Sequence, residues 1–444
     1  MDIIDKLLKF CFILSILFFI FLLGFLSNDL KLKRIHEGLS FIINDVETRL
    51  NINLKKKFGD RDTRKSLVLD KNKSGFNSNF NFDNRPKEKF DHYLLVKHDQ
   101  TQPILMETPD KVIWSWDLSN FRNNSKIIPY HLFENGDLLI GKFETKGIYR
   151  IDKFGNIVWK NNSLNHHWVD VEKNKIFIPS RKFVSLPNDL NGDLKNSELR
   201  NCNIKNSAFD TILILNSLNG KIISNFSLME ILIKNDEFKN VLDRKILSDD
   251  EVCVDPLHLN DIQKLDVNEI NLINKKISLT SENILILSFR SLDMILFYDL
   301  DNNNINHIVV DLFAKQHSPR LHQDGFLYVF DNNNFSSKNS KIDKINLEDN
   351  SIASIFEAEN FASPTRGRLQ FLGNDLFVQS SSQGEIFKII CENDFFKNCK
   401  RKYLYSSNFD FFYPSNRYDK NLSFKKDGIY IGDFYEKNKL KFID

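Results

Sequence analysis

The sequence predicts an all-β fold, a six-bladed β-propeller, preceded by an N-terminal transmembrane helix and a short helical stalk. Three observations support this prediction. An uncharged apolar run occupies residues 10–26, an amphipathic stripe follows it, and from about residue 91 short β-rich runs alternate with turn sequences. We therefore expect four segments: a signal-anchor at 1–27, an amphipathic helix or stalk at 28–53, a polar linker at 54–90 and the propeller at 91–444.

The apolar run, "FCFILSILFFIFLLGFL", extends from Phe10 to Leu26 and contains no charged residue. With Leu7 and Leu8 it just reaches the length that spans a bilayer. The sequence after it is a poor match to a cleavage site, so we interpret the run as an uncleaved signal-anchor. Basic residues lie on both sides of the run, so the positive-inside rule leaves its orientation open.

Apolar residues at steps of three and four then form one stripe on a helix between Leu32 and Leu50. One interpretation is a coiled-coil stalk that makes the protein a homo-oligomer. The other is a helix packed on the main domain, which the short length of barely two heptads favours. The next segment, residues 54–90, is polar and rich in Lys and Asn, as is typical of a linker.

One sequence pattern recurs through the rest of the chain: a turn, a β-rich run, a polar gap, a second run and a third. It appears as "ENGDLLIGKFETKGIYRIDKFGNIVWK" from Glu134, "SENILILSFRSLDMILFYDL" from Ser281 and "GNDLFVQSSSQGEIFKII" from Gly373. Asn-Gly and Asp-Gly turns between alternating runs indicate hairpins. The units repeat at the period of four-stranded propeller blades, roughly 40 to 50 residues. Six units can be counted, and "ILMETPDKVIWSWDL" is expected to close the ring with the C-terminal blade.

Charge and cysteine content narrow the class of protein. The 61 basic and 59 acidic residues give a net charge of +2, which favours neither nucleic acid nor acidic partners. Cys391 and Cys399 bracket a loop short enough for a disulfide, although four buried thiols in a reducing cytosol are the alternative. No cysteine or histidine spacing indicates a metal site. The disulfide interpretation favours an exported, membrane-tethered domain with a periplasmic or other extracytoplasmic location.

Polar residues occur near the start of several predicted inner strands. Because the first strand of each propeller blade lines the central channel, such residues converge on one axial pocket. Several histidines and an arginine around one axis indicate an anionic ligand whose charge changes during a reaction. Adjacent strand residues point to opposite faces, so only one histidine of a neighbouring pair is expected to face that pocket. The four sets are "HHWVDV" with His166 and His167, "DPLHLNDI" with Asp255, His258 and Asn260, "ILSFR" with Arg290, and "KQHSPRLHQDGFLYVFDN" with Gln316, His317 and Asp331.

These phrases, in this order and together with "NGDLLIGKFETKGIYRIDKFGNIVWK", resemble the periplasmic arylsulfate sulfotransferases and their arylsulfotransferase-like relatives. The resemblance covers roughly residues 90–390. It implies a six-bladed propeller that moves a sulfuryl group from a phenolic sulfate ester to a phenol through a covalent sulfohistidine. It implies no cofactor, and the sequence has no Gly-rich phosphate loop for a nucleotide sulfate donor.

The resemblance also implies roles for particular residues. His317 is expected to be the nucleophile, and His258, Arg290 and His167 are expected to grip the sulfuryl oxygens. His166, the alternative to His167, and Asn260 are expected to bind substrate. These residue types fit the chemistry, since neutral imidazole is a nucleophile near neutral pH and a guanidinium offers forked donors to an anion.

Some features leave other interpretations open. The stretches 181–208 and 263–281 resemble insertions near the pocket entrance, and no role follows for Arg366, Arg368 and Gln383. A non-catalytic, membrane-tethered propeller that binds a protein or glycan partner is the alternative, because the fold alone favours neither. A quinoprotein-like dehydrogenase is a third hypothesis, but it lacks calcium-binding carboxylates and leaves the histidines unexplained.

Overall fold

The computed structural model describes most of the chain from Phe90 onward. The described ranges are 90–98, 102–108, 111–119, 121, 127–142, 145–332, 339–358, 361–391, 399–406 and 429–443. The predicted signal-anchor and stalk, and the predicted linker up to residue 89, lie outside these ranges. Within them, none of the helices has both the length and the apolar character needed to cross a membrane.

The described residues form six four-stranded antiparallel sheets, which confirms the predicted six-bladed propeller. The first blade contains β1 (Tyr93–His98), β2 (Ile104–Thr108), β3 (Lys111–Ser115) and the C-terminal strand β24 (Ile429–Tyr435). The second contains β4 (Ile127–Leu132), β5 (Leu138–Lys142), β6 (Thr145–Ile151) and β7 (Ile157–Asn165). The third contains β8 (Asp170–Glu172), β9 (Lys175–Leu186), β10 (Ile204–Asn216) and β11 (Ile222–Ser227).

The other three blades follow the same order along the chain. The fourth contains β12 (Leu259–Lys264), β13 (Ile284–Phe289), β14 (Met294–Asp299) and β15 (Asn304–Val310). The fifth contains β16 (His317–Leu321), β17 (Leu327–Asp331), β18 (Lys341–Ile345) and β19 (Ile352–Glu357). The sixth contains β20 (Arg368–Leu372), β21 (Asp375–Ser380), β22 (Glu385–Ile390) and β23 (Lys400–Ser406).

The last described strand closes the ring. β24 pairs with β1, with Tyr93 opposite Tyr435 and Val96 opposite Gly432, so the first blade is built from both ends of the propeller sequence. Its order is β24-β1-β2-β3, which makes β24 the inner strand of that blade. Ring closure of this kind pairs the strands that would otherwise be open edges.

Four helices interrupt the strands near the fourth blade: α1 (Leu228–Leu232), α2 (Asp236–Ser248), α3 (Glu251–Val254) and α4 (Val267–Ile273). The Asn235 side chain caps α2 by accepting a hydrogen bond from the Phe238 amide at 2.9 Å. The apolar face of α2 lies in one buried cluster with Phe289 and Leu292. These two residues flank Arg290, so α2 supports the turn that carries it.

Short 3₁₀ helices occupy several connections of the described chain. They span Gly192–Asn196, Glu198–Asn201, Arg290–Leu292, Ser381–Gln383 and Lys437–Lys439. The first two belong to the stretch 181–208 that was predicted as an insertion, and the structure joins them to the long strands β9 and β10.

Two disulfides occur among the described residues. Cys391 pairs with Cys399, as the sequence predicts, and Cys202 pairs with Cys253. The second disulfide joins the segment between β9 and β10 to α3, which directly precedes the loop that carries His258. It therefore cross-links two pieces of chain beside the candidate site.

Each inner strand places one ionisable side chain in a mutually interacting set, which we call the axial ring. Arg320 donates to Asp261 of the neighbouring blade at 3.0 and 3.2 Å, and Arg368 lies 2.8 Å from Asp433 of the first blade. The Arg368 guanidinium also lies 4.2 Å from the centre of the Trp168 ring. The ring is formed by His131 on β4, Asp170 on β8, Asp261 on β12, Arg320 on β16, Arg368 on β20 and Asp433 on β24.

Candidate active site

The polar residues singled out in the sequence lie at equivalent points of the blades. His166 and His167 follow β7 and precede β8, His258 precedes β12, and His317 begins β16. Arg290 begins the turn between β13 and β14. Connections from an outer strand to the next inner strand, and turns between second and third strands, lie at the same end of an up-and-down blade. The topology therefore gathers these residues at one end of the channel.

The imidazole rings of His166, His167, His258 and His317 lie close together and form what we call the imidazole cluster. The ring centre of His167 lies 5.0 Å from that of His166, 4.9 Å from that of His258 and 6.3 Å from that of His317. His167 and His258 also approach through their Nε2 atoms, which are 3.0 Å apart. Three blades thus contribute to one imidazole cluster.

The sequence predicts that only one of His166 and His167 faces the pocket. That expectation assumed strand alternation, but both residues lie in the connection between β7 and β8, and His167 has a φ of 59°. His258 has a φ of 50°, so two of the site histidines adopt the left-handed backbone that costs non-glycine residues free energy. Both rings of the pair consequently belong to the cluster, one behind the other.

His317 has a fixed tautomer in its neutral form. Its Nδ1 atom lies 3.0 Å from the carbonyl oxygen of Lys315 and 2.6 Å from the Asn332 Oδ1 atom. A carbonyl oxygen only accepts, so Nδ1 carries the hydrogen and Nε2 holds a lone pair. Among the described residues, nothing forms a hydrogen bond with Nε2. The atom that a nucleophilic histidine must expose is therefore available.

The electrostatics keep His317 neutral. Burial first, and then the positive charge of Arg290, lower the pKa of His317 to about 3, although the hydrogen bond that Nδ1–H donates to Asn332 acts in the opposite direction. His317 is 2% exposed, which accounts for the large desolvation effect. The imidazole thus keeps its lone pair at any pH well above 3.

Arg290 differs from Arg320 and Arg368 because it has no carboxylate partner among the described residues. Its backbone amide donates to the His258 carbonyl at 3.1 Å, which fixes the position of the turn. Its guanidinium forms no hydrogen bond or ion pair with any part of the chain that the structure describes. A partly buried guanidinium without a partner, beside neutral imidazoles, is suited to bind an oxyanion.

Comparison with known proteins agrees with this geometry. A model of the family described as arylsulfotransferase (ASST) matches residues 164–395, more than half of the chain. The chain belongs to the arylsulfotransferase family. The match includes the segments that carry His166, His167, His258, Arg290 and His317. No curated protein sequence matches this family member.

Solved structures share only a distant likeness with this arylsulfotransferase. A functionally unknown protein from Desulfotomaculum acetoxidans is 8% identical, with 70% of this chain and 78% of the other covered and a TM-score of 0.39. A protein of unknown function from Bacteroides caccae is 12% identical, with 67% and 89% covered and a TM-score of 0.37. Virginiamycin B lyase from Staphylococcus aureus with quinupristin is 13% identical, with 71% and 87% covered and a TM-score of 0.37. Similarities this low carry no argument about the chain.

His166 and Asn260, which the resemblance implied as substrate-binding residues, are fully buried. His166 Nε2 lies 2.9 Å from the Asp210 carboxylate, and the Asn260 amide donates to the Gln316 carbonyl at 2.6 Å. Both side chains therefore support the residues beside them: His166 lies behind His167, and Asn260 holds the backbone that precedes His317.

Four further residues of the site had no assigned role in the sequence. Asn332 donates to the carbonyls of Ser363 and Arg366, which orients its Oδ1 atom towards His317. Asp255 lies 2.7 Å from His258 Nδ1. Arg181 and Asp210 lie behind them. The sequence could have indicated Asp255, because it lies three residues before His258 in the same phrase. It could not indicate Arg181, because that residue lies on the long strand β9, whose end was interpreted as an insertion.

The described residues contain no group of three His, Cys, Asp or Glu side chains that could hold a metal ion.

Proposed function

We propose that this protein transfers a sulfuryl group from a phenolic sulfate ester to a phenol-type acceptor through a sulfohistidine at His317. The observation that carries this proposal is the state of the His317 ring. Its Nδ1–H donates to the Lys315 carbonyl and to Asn332 Oδ1, and no residue that the structure describes forms a hydrogen bond with its Nε2 atom. Membership of the arylsulfotransferase family supports the same reaction class.

In the first half-reaction, the Nε2 lone pair of His317 attacks the sulfur atom of the bound ester. The bond from sulfur to the aryl oxygen breaks, and the first phenol departs with a proton supplied by the imidazole cluster. The Nδ1–H remains bonded to Lys315 and Asn332, so those acceptors stabilise the positive charge that develops on the ring. No separate base is needed, because the neutral ring already has its lone pair.

In the second half-reaction, a phenol enters and loses its proton to the cluster. Its oxygen attacks the sulfur atom, and the nitrogen–sulfur bond breaks to return the lone pair to His317. In both steps the transferred group carries negative charge on its oxygens, which Arg290 is placed to bind with forked donors. The ring centre of His167 lies 4.9 Å from that of His258 and 6.3 Å from that of His317, so these two rings can complete the set of donors.

The test is to detect the covalent intermediate. The protein is incubated with 4-nitrophenyl sulfate without an acceptor, and its intact mass is measured. We expect one added sulfuryl group that peptide mapping places on His317, and that a phenol acceptor removes. His317→Ala should not form the adduct.

His307→Ala is the matched control, because His307 lies on the outer strand β15, where its ring bonds to Asn350 at 2.9 Å. That variant should form the adduct normally. A wild-type protein that forms no adduct and gives no turnover with several aryl sulfates would contradict the proposal, and would favour the non-catalytic binding module.

The two disulfides support an extracytoplasmic location as part of the same proposal. Structural disulfides persist in oxidising compartments and are rare in the cytosol. We expect Cys202, Cys253, Cys391 and Cys399 to resist alkylation in protein extracted under denaturing conditions without a reductant. Complete alkylation of all four would place the propeller in a reducing compartment.

A further inference from the structure

The Asp255 carboxylate contacts the imidazole cluster at His258. Its Oδ2 atom lies 2.7 Å from His258 Nδ1 and 2.8 Å from Arg181 Nη2. Burial opposes ionisation of this carboxyl group, but the His258 and Arg181 side chains hold its pKa well below the usual range. Asp255 is therefore a charged acceptor whose side chain is only 20% exposed.

A second carboxylate keeps this arrangement in place. The Arg181 Nε atom lies 3.1 Å from Asp210 Oδ1, so one guanidinium bridges two carboxylates. The other oxygen of Asp210 accepts from the Leu259 amide at 2.6 Å. Leu259 directly follows His258, and Asp255 precedes it by three residues. The ion-paired set Asp210, Arg181 and Asp255 is therefore anchored to the backbone before and after His258.

This ion-paired set determines which nitrogen of His258 can exchange a proton. An ionised carboxylate only accepts, so His258 Nδ1 carries a hydrogen that remains with Asp255. The exchangeable position is then Nε2, which lies 3.0 Å from the Nε2 atom of His167. Burial first, and then the neighbouring His258 and His166 rings, lower the pKa of His167 well below its usual value. The Asp255 carboxylate, 2.7 Å from Nδ1, can stabilise a positive charge on the His258 ring.

We propose that Asp255 is a positioning residue that makes His258 the proton donor to the departing phenol and the proton acceptor for the incoming one. The inference rests on the proposed function and names the group that its two half-reactions leave unassigned. No contact between Asp255 and substrate is involved, since its charge acts through the His258 ring.

The proton balance closes over the two half-reactions. As His317 Nε2 forms its bond to sulfur, the aryl oxygen takes the Nε2 proton of His258, and His258 becomes neutral with its Nδ1–H retained on Asp255. The incoming phenol then gives its proton back to His258 Nε2 as its oxygen attacks the sulfur atom. The enzyme ends with the same protonation state in which it began.

The experiment compares Asp255→Asn with the wild-type full chain on two donors, 4-nitrophenyl sulfate and phenyl sulfate. The readout is kcat/KM for the donor at a fixed acceptor concentration, which reports only the steps up to departure of the first phenol. Phenol has a pKa of about 10 and needs a proton to leave, whereas 4-nitrophenolate is a much weaker base. Loss of general acid catalysis costs about 10²- to 10⁴-fold. We expect a loss of at least about 10²-fold with phenyl sulfate and less than about tenfold with 4-nitrophenyl sulfate.

Asp250→Asn is the matched control, since Asp250 lies on the same segment, is exposed and caps no amide with its side chain. It should lose activity with neither donor. Asp255→Glu keeps a carboxylate and should show an intermediate, donor-dependent loss, which provides the comparison if the Asn variant folds poorly. Equal losses with both donors would overturn the inference while the proposed function stands. A wild-type protein without a His317 adduct would overturn both.

Discussion

Polar side chains from several blades build both the axial ring and the imidazole cluster, yet their charges are partnered differently. In the axial ring each arginine faces a carboxylate of a neighbouring blade: Arg320 faces Asp261 and Arg368 faces Asp433. In the cluster, Arg290 has no such partner in the described chain, and burial keeps the neighbouring His317 neutral.

The difference indicates what each set of residues is for. Paired buried charges satisfy one another, so removing one partner leaves an uncompensated charge and destabilises the fold. The Arg290 guanidinium, beside the neutral His317 ring, has no carboxylate partner among the described residues, which suits it to bind an anionic ligand. Strained left-handed backbone at His167 and His258 adds to the cost of the cluster, as is typical of functional sites.

The largest effect is expected from Arg320→Gln in the axial ring. This change leaves the fully buried Asp261 without its partner and should lower the free energy of unfolding by about 3–5 kcal/mol, measured by urea denaturation. The double variant Asp261→Asn/Arg320→Gln should lose less than the sum of the two single variants. A loss below about 1 kcal/mol would show that the ring does not hold the blades together.

Arg290→Gln should behave in the opposite way. Because its guanidinium pairs with no described residue, we expect the free energy of unfolding to change by no more than about 0.5 kcal/mol. Loss of its donors should lower kcat/KM for an aryl sulfate by about 10²- to 10³-fold. Arg290→Lys should recover only part of the activity, since an ammonium lacks the forked geometry. A stability loss as large as that of Arg320→Gln would remove the distinction between the two regions.

The sequence predicts this fold well because one pattern of turns and β-rich runs is repeated along the chain. Turn chemistry and alternating runs recur in every blade, so an error in one unit leaves the six-bladed interpretation intact. The convergence of His167, His258, Arg290 and His317 follows from the same repeat, since equivalent blade positions meet at one end of the channel.

Two kinds of feature could not be predicted. The left-handed backbone of His167 placed both members of the histidine pair in one cluster, and nothing in the local sequence indicates that conformation. The sequence predicted no role for Arg368, because its partner Asp433 is 65 residues further along the chain, on the strand that closes the ring. Contacts between distant blades require the register of the whole ring.

The pH dependence of stability should differ in sign between His317 of the cluster and Glu269, a residue of α4 that interacts with Asp170 and Arg320 of the axial ring. The folded-state pKa of His317 is lowered to about 3, so between pH 6.5 and 4.5 the unfolded chain takes up a proton at this site that the folded chain refuses. Each such group costs up to about 1.4 kcal/mol per pH unit on acidification. His317→Asn should therefore lose less stability than the wild type over this interval, measured by urea denaturation at several pH values. Burial raises the pKa of Glu269 to about 7. On acidification over this interval the folded chain therefore binds a proton at Glu269 more tightly than the unfolded chain does, which increases stability. Glu269→Gln should lose more stability on acidification than the wild type, and changes of the same sign in both variants would contradict this contrast.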